Sequence, residues 1–177
     1  AEISFSEENQ RVIVKSGRSR FTLSTLSAND FPNVEDGPGD LQFSCAQSVV
    51  KRLIDATAFA MAQQDVRYYL NGMLLELGNQ YVRMVATDGH RLALSSLDTD
   101  LEIAQEKQVI VPRKGIIELG KLLSDVDEEV VISIGDSHIF SQIGNYRFTS
   151  KLIDGKFPDY NRVIPKGGDK LLIANRS

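Results

Sequence analysis

The middle of the chain alternates between helical and strand-like patterns of apolar residues. A short strand starts at Leu41, a helix is predicted over residues 46–62, and strand-like runs follow at 68–77, 81–86 and 90–97. Turn pairs, Gly-Asn and Asp-Gly, separate these runs. The pattern therefore predicts one β-α-β-β-β unit. The apolar side of its helix consists of Val50, Leu53, Ile54, Ala58 and Met61.

The same order of elements is predicted a second time. An apolar strand over 109–111 leads into Pro112, whose ring pre-sets the first turn of a helix. Gly115 and Gly120 lower the helix propensity of this stretch, but its apolar positions recur at helical spacing. These positions are Ile116, Leu119 and Leu123, and strands are predicted after them at 129–134, 137–143 and 146–152. The two similar halves predict an α+β domain whose helices turn their polar faces outward.

One stretch of sequence occurs twice. Arg-Phe-Thr at 20–22 is followed by Phe-Pro at 31–32, and Arg-Phe-Thr at 147–149 is followed by Phe-Pro at 157–158. The two arginines are 127 residues apart, a distance close to the size of a whole domain. We interpret the repeat as a domain duplication. Chance matching of short common segments is the alternative.

A second pair of segments predicts the domain boundaries. Residues 41–48 resemble residues 171–177, as though a further copy of the domain began near the end of the chain. Turn-rich linkers precede both segments, at 33–40 and 165–169. We therefore predict the end of one domain and a linker over 1–40, a complete domain over 41–165, and a linker with the first strand of a third domain over 166–177.

Composition excludes several classes of protein. A content of 42% hydrophobic and 25% charged residues is typical of a soluble globular protein, and no apolar run is long enough to cross a bilayer. No secretory leader is evident, and Cys45 is the one cysteine, so we expect a cytoplasmic protein without a disulfide. No cofactor motif and no cluster of metal ligands occurs, so we expect neither a cofactor nor a metal.

Positive charge is concentrated in the two helices. The whole chain carries a net charge of −4, whereas residues 44–62 carry +1 and residues 112–123 carry +2. Helices of this kind in an acidic protein favour contact with phosphates. Ordinary solvated helix faces would give the same count.

The segment Thr87-Asp88-Gly89-His90-Arg91 combines an acid, a base and a cation within five residues. Asp88 and His90 allow the hypothesis of a small hydrolase, but neighbours along a strand point to opposite faces and converge poorly on a substrate. A hairpin turn at Asp88-Gly89 is the structural alternative. The third alternative is the rim of a binding site, which would make the chain an interaction module.

Three motifs resemble those of one family. The segments 87–92 (Thr-Asp-Gly-His-Arg-Leu), 111–115 (Val-Pro-Arg-Lys-Gly) and 157–163 (Phe-Pro-Asp-Tyr-Asn-Arg-Val) are similar to those of bacterial DNA sliding clamps, the beta subunits of DNA polymerase III. The resemblance implies a clamp fold whose domains each consist of two β-α-β-β-β halves, with helices on one side and antiparallel sheets outside. It also implies a non-catalytic subunit of a DNA-directed DNA polymerase, which encircles double-stranded DNA as a ring homodimer. This chain lacks most of the first and third domains, which meet between subunits in the family, so it is not expected to form the ring.

The resemblance assigns a pocket for short peptides of polymerase subunits, the clamp loader and repair proteins. Taken singly and without the resemblance, Leu70, Leu92 and Val163 are more typical of an ordinary domain core than of a pocket. The residues that match the family's pocket are Leu70, Thr87, Gly89, His90, Arg91, Leu92, Pro158, Arg162 and Val163.

The resemblance also assigns DNA contacts, without sequence specificity, to the basic helices and to one loop. Tyrosine rings in that loop would stack on exposed bases, although Tyr68 and Tyr69 also fit the start of a strand. The residues assigned to DNA are Gln64, Tyr68, Tyr69, Lys51, Arg52, Arg113, Lys114 and Lys121.

Overall fold

The computed structural model describes residues 1–6, 10–31, 41–99, 102–103, 106–165, 167 and 170–175. The chain divides into two compact units, Ala1–Gly37 and Pro38–Ser177. The linker predicted at 33–40 and most of the linker at 165–169 lie outside the described residues. No helix in the described ranges is long and apolar enough to span a bilayer.

The first unit is a three-stranded antiparallel sheet in the order β1-β2-β3. Its strands are β1 (Glu2–Ser6), β2 (Arg11–Ser16) and β3 (Ser19–Ser24). The register places six apolar side chains on one face, and no residue of these strands is buried. A short 3-10 helix, Ala28–Asp30, follows the sheet. The apolar face consists of Ile3, Phe5, Val12, Val14, Phe21 and Leu23.

The second unit contains eight strands and two α-helices in its described part. The strands are β4 (Leu41–Ala46), β5 (Gly72–Gly78), β6 (Tyr81–Thr87), β7 (Leu92–Asp98), β8 (Lys107–Pro112), β9 (Glu129–Ile134), β10 (His138–Ile143) and β11 (Tyr146–Lys151). The helices are α1 (Gln47–Thr57), which continues as a 3-10 turn over Ala58–Ala60, and α2 (Arg113–Leu122). The predicted α+β fold and the order of its elements are confirmed.

The two halves of this unit exchange their first strands. One sheet has the order β11-β10-β9-β4, and the other has the order β7-β6-β5-β8. Strand β4, which precedes α1, thus pairs with β9 of the other half, and β8, which precedes α2, pairs with β5. All of these pairs are antiparallel. Neither half is therefore an independent sheet.

One core joins both helices to both sheets. Val50, Leu53 and Ile54 of α1 and Ile116 and Leu119 of α2 are at most 2% exposed, and they belong to the same apolar cluster as residues of β5, β6, β9 and β10. Burial of each such side chain stabilises the fold by about 1.5–3 kcal/mol. The apolar spacing of both helices therefore predicted their buried sides correctly.

Close packing explains one of the two glycines of α2. A Cβ on Gly115 would lie 2.6 Å from Ser150 Oγ of β11, which is closer than unbonded atoms approach. A Cβ on Gly120 would lie 3.4 Å from Ile54 Cγ2 of α1, which is ordinary contact. A larger residue at Gly115 would therefore push α2 away from β11, whereas Gly120 sits where the two helices meet without such crowding.

The repeated sequence forms the same hairpin twice. Strands β2 and β3 turn at Gly17 and pair Ser16 with Ser19, whereas β10 and β11 turn at Gly144 and pair Ile143 with Tyr146. Both glycines have a positive φ, +59° and +51°, as primed two-residue hairpin turns require. Every cross-strand pair of the first hairpin has its counterpart 127 positions later in the second. The two copies thus share their register as well as their sequence.

Two sequence predictions about where strands begin were wrong. The strand predicted from Tyr68 begins at Gly72, because residues 68–70 form a 3-10 helix, and the strand predicted from His90 begins at Leu92, because the turn extends through Arg91. Residues 170–175 lie outside helices and strands in this chain, so the first strand of a third domain stays a prediction. A strand needs a partner for its backbone hydrogen bonds, and none pairs with these residues in the described part of the chain.

Candidate functional site

An apolar cavity with a volume of about 740 Å³ lies in the second unit. It lies between the ends of β6 and β7 on one side and residues 157–165, here called the strap, on the other. Its walls combine aliphatic side chains and prolines with a few polar groups. The lining residues are Thr87, Gly89, His90, Arg91, Leu92, Leu94, Pro158, Asp159, Tyr160, Val163, Ile164 and Pro165.

Strand periodicity explains why the cavity forms on this sheet. The register pairs Thr87 with Leu92 and Val85 with Leu94, so these side chains share the face opposite to the main core. Further along the same face, Leu74 and Ile110 are buried in a second apolar cluster. Strand β5 is therefore buried on both faces, and the cavity lies where this second cluster ends.

The strap is packed onto that face by two aromatic residues. Phe157 and Tyr160 are 5% and 3% exposed and belong to the second cluster. A 3-10 helix, Tyr160–Arg162, turns the chain, and the backbone N–H groups of Val163 and Ile164 both donate to the carbonyl oxygen of Tyr160. This turn leaves Val163 66% exposed at the cavity.

The opposite rim is a tight turn closed by side chains. Oδ1 of Asp88 accepts hydrogen bonds from the backbone N–H groups of His90 (2.9 Å) and Arg91 (3.0 Å), and Thr87 Oγ1 donates to the carbonyl of Arg91 (2.7 Å). These backbone hydrogen bonds, first that of His90, hold the pKa of Asp88 below its usual value. The carboxylate is thus engaged in the turn, which weakens the hydrolase hypothesis.

The cavity brings together seven of the nine predicted pocket residues. Leu70 is not among the lining residues, because it is 2% exposed and packs in the second cluster beneath the site. Arg162 is also not among the lining residues; its largely exposed side chain forms an ion pair at 2.9 Å with Asp159, which does line the cavity.

Sequence reasoning missed five residues that line the same cavity. Leu94 follows Leu92 by two positions in a strand, and this period of two was a usable signal. The other four depend on the path of the strap, which no local pattern reveals. They are Asp159, Tyr160, Ile164 and Pro165.

The loop with the predicted base-stacking tyrosines is joined to this rim. Arg67 forms an ion pair with Asp65 at 2.7 Å, and its Nη2 also donates to the carbonyl oxygen of Asp88 at 3.1 Å. The side-chain hydrogen bond from Arg67 lowers the pKa of Asp65 to about 2. Tyr68 and Tyr69 stand edge to face, with ring centroids 5.7 Å apart, and Gln64 has a positive φ of +57°. The loop is therefore held by its own polar contacts.

The basic residues of the helices differ in how exposed their side chains are and in whether they contact other groups of the protein. Lys51 is half-buried and lies 3.4 Å from Asp55 Oδ2 and 3.5 Å from the carbonyl of Gly120. Arg113 donates to the carbonyl oxygen of Met61 at 3.3 Å, and Lys121 pairs with Glu118 at 2.9 Å. The remaining two, Arg52 and Lys114, are exposed.

Gly89→Ala is expected to destabilise the rim by about 1–3 kcal/mol, because Gly89 has a φ of +89° and an added Cβ would lie 2.8 Å from Arg67 Nη1. Urea unfolding of both proteins measures the loss. Gly144→Ala is the matched control, since its φ is +51° and an added Cβ meets nothing within 4 Å. Equal losses for the two variants would contradict a role for the Arg67 contact.

Comparison with known proteins identifies two domains of one family. Residues 44–159 match the family model described as DNA polymerase III beta subunit, central domain, and residues 1–35 match the N-terminal domain of the same subunit. The solved DNA polymerase III subunit beta from Pseudomonas aeruginosa superposes with a TM-score of 0.85 at 63% identity, covering 94% of this chain and 46% of that one. The predicted clamp fold is confirmed by this likeness.

Curated relatives agree with the family models. The beta sliding clamp of Pseudomonas aeruginosa is 64% identical over 96% of this chain, and that of Escherichia coli K12 is 52% identical over 98%. The chain spans 46% and 47% of the length of these two relatives. Both relatives carry the name of a clamp and not of an enzyme, in agreement with the non-catalytic role expected from the sequence. The chain belongs to the family of bacterial sliding clamps, the beta subunits of DNA polymerase III.

Proposed function

We propose that this chain is the central part of a processivity clamp, a non-catalytic protein that encircles duplex DNA and tethers the replicative polymerase to it. The observation that carries the proposal is the apolar cavity, to which the rim turn and the strap each contribute a motif found in the sequence. Replication of the bacterial chromosome takes place in the cytoplasm, where we place the whole protein.

The chemistry of the cavity suits the side chains of a short peptide. Leu92, Leu94 and Val163 offer an apolar surface, and Arg91 and His90 at the rim offer hydrogen-bond donors. A volume of about 740 Å³ lies within the range of about 300–1,000 Å³ that is usual for ligand pockets. We propose that peptides of polymerase subunits, the clamp loader and repair proteins bind here with bulky apolar residues inserted.

Titration of the chain with the peptide Gln-Leu-Ser-Leu-Phe tests this part of the proposal. Methyl NMR signals of Leu92 and Val163 are expected to shift with a common binding curve, because both side chains line the cavity. The methyl signals of Ile132, which is buried in the main core, serve as the reference. Unchanged signals at both pocket residues would refute the site.

The helices support the DNA part of the proposal. Arg52 of α1 and Lys114 of α2 are exposed and add positive charge to an acidic chain. Contacts of such side chains to phosphates carry no sequence information, so a ring lined by them can slide along DNA. Retention of the whole protein on DNA then depends on ring closure, for which a homodimer of the full-length chain is required.

Reversing two exposed helix charges in the full-length clamp, Arg52→Glu with Lys114→Glu, is expected to lower its loading onto primed circular DNA several-fold, and more at higher salt, because phosphate contacts are lost. Retained fluorescent clamp is counted at several salt concentrations. The control is Lys151→Glu with Lys156→Glu, an equal charge change at exposed residues outside the helices. Equal loss for both double variants would argue against helix contacts.

Linearising the DNA is expected to release the wild-type clamp, and retention on free ends would refute sliding.

A further inference from the structure

A buried polar network lies on the face of the sheet that the strap covers. Glu76 of β5 is 3% exposed, and it is the one charged residue in a strand whose residues are all buried. Its cross-strand neighbours are Arg83 of β6 and Gln108 of β8, and both donate to it. Arg83 Nη1 lies 3.0 Å from Glu76 Oε1, and Gln108 Nε2 lies 2.6 Å from Oε2.

The fourth member of this network comes from the strap. The Tyr160 hydroxyl donates to Glu76 Oε1 at 2.9 Å and accepts from Arg83 Nη1 at 2.8 Å. Arg83 also lies over the ring of Tyr81, 4.6 Å from its centroid. Three strands and the strap are therefore joined at one carboxylate.

Tyr160 belongs to this network and to the candidate pocket at the same time. Tyr160 is one of the lining residues of the cavity, and its carbonyl oxygen accepts the hydrogen bonds of Val163 and Ile164. The position of the hydroxyl therefore fixes the position of the turn that presents Val163. Without the hydroxyl, the partly buried ion pair of Glu76 and Arg83 would lose a hydrogen-bond partner, and the strap would lose its hydrogen bonds to the sheet.

We infer that Glu76 and Arg83 are positioning residues for the peptide pocket, which they align through the hydroxyl of Tyr160. The inference rests on the proposed function of the cavity, but it assigns a role to residues outside the cavity wall. An apolar strap could slide along an apolar sheet, since hydrophobic contact has no direction. Hydrogen bonds to a fixed carboxylate impose a single register on it.

Tyr160→Phe tests this inference, because it keeps the ring in the cavity and removes only the hydroxyl. We expect the 177-residue chain with this change to bind Gln-Leu-Ser-Leu-Phe about 5- to 20-fold more weakly, as measured by calorimetry. Amide hydrogen exchange at Val163 and Ile164 is expected to accelerate more than exchange in β9 and β10. Tyr146→Phe is the matched control, since Tyr146 is 64% exposed on β11 and should leave both measurements unchanged.

Two substitutions of Glu76 provide a rescue experiment. Glu76→Ala leaves Tyr160 and Arg83 without their shared acceptor and is expected to weaken the peptide as Tyr160→Phe does. Glu76→Gln keeps an acceptor oxygen of the same shape and is expected to retain affinity within about threefold. If Glu76→Ala does not fold, Tyr160→Phe and Glu76→Gln still test the inference.

The results separate this inference from the proposed function. Wild-type affinity in Tyr160→Phe would overturn the inference, as would a uniform acceleration of exchange across the whole domain, which indicates general destabilisation alone. If the wild-type chain does not bind the peptide, the proposed pocket fails, and hydrogen exchange in the strap still decides whether the network positions it.

Discussion

Residues 41–106 produced alone are expected to be unfolded, although they contain a complete β-α-β-β-β unit. The reason is the exchange of first strands between the two halves. In this fragment β4 would lose β9, its one neighbour in the sheet, and β5 would lose β8. The apolar face of α1 would also lose its contact with α2 and the core residues of β9 and β10 that complete the same apolar cluster.

The expected loss exceeds the net stability of an ordinary domain. Removal of the second half uncovers several fully buried side chains, each worth about 1.5–3 kcal/mol, whereas whole domains are stable by about 5–15 kcal/mol. Leu53, Leu75 and Leu77 are among the side chains that would be uncovered at the shared core.

Circular dichroism and NMR dispersion of the fragment measure this effect. The control is the chain 41–165, which keeps both exchanged strands and is expected to fold cooperatively. Mixing 41–106 with 107–165 is expected to restore structure, because each fragment supplies the strand that the other lacks. A well-dispersed NMR spectrum of 41–106 alone would show that the exchange is not required for folding.

Val163→Asp is expected to weaken binding of the peptide Gln-Leu-Ser-Leu-Phe at least about 100-fold, because a peptide side chain in the cavity would have to desolvate the new carboxylate. Val163 is 66% exposed, so the free energy of unfolding is expected to change by no more than about 0.5 kcal/mol. Calorimetric titration and urea unfolding measure the two quantities on the same samples.

The matched control for this variant is Val126→Asp. Val126 is 40% exposed and does not line the cavity, so the same change of side chain is expected to leave peptide affinity within about twofold of wild type. Undiminished binding by Val163→Asp would remove the strap from the proposed site.

Local sequence patterns predicted most elements of the second unit. The helical spacing of the apolar residues around Leu53 and Ile116 predicted the buried sides of α1 and α2, because an α-helix has one fixed period. The strand predicted at 129–134 was confirmed at both ends. Tyr68 and Tyr69 wrongly favoured a strand, since aromatic residues are common in strands, whereas here the backbone of residues 68–70 turns into a 3-10 helix.

Features that depend on distant residues were not predictable from these patterns. Nothing in the pattern of β4 indicates that it pairs with β9, because a strand's period does not name its partner. Similarly, the motif that contains Arg162 does not indicate its ion pair with Asp159, which lines the cavity, so the pocket role of Arg162 stays a prediction. In the sequence, Glu76 is a single charge within an apolar run, a pattern that does not indicate its partners Arg83, Gln108 and Tyr160.

The two matched hairpins have a consequence for the order of folding. Each brings together residues close in sequence around a glycine turn, so little chain entropy opposes its closure, and hairpins form within about 1–10 μs. The pairing of β4 with β9 joins distant parts of the chain and must close a much larger loop. We therefore expect the two hairpins to form early and the pairing of the exchanged strands to form later.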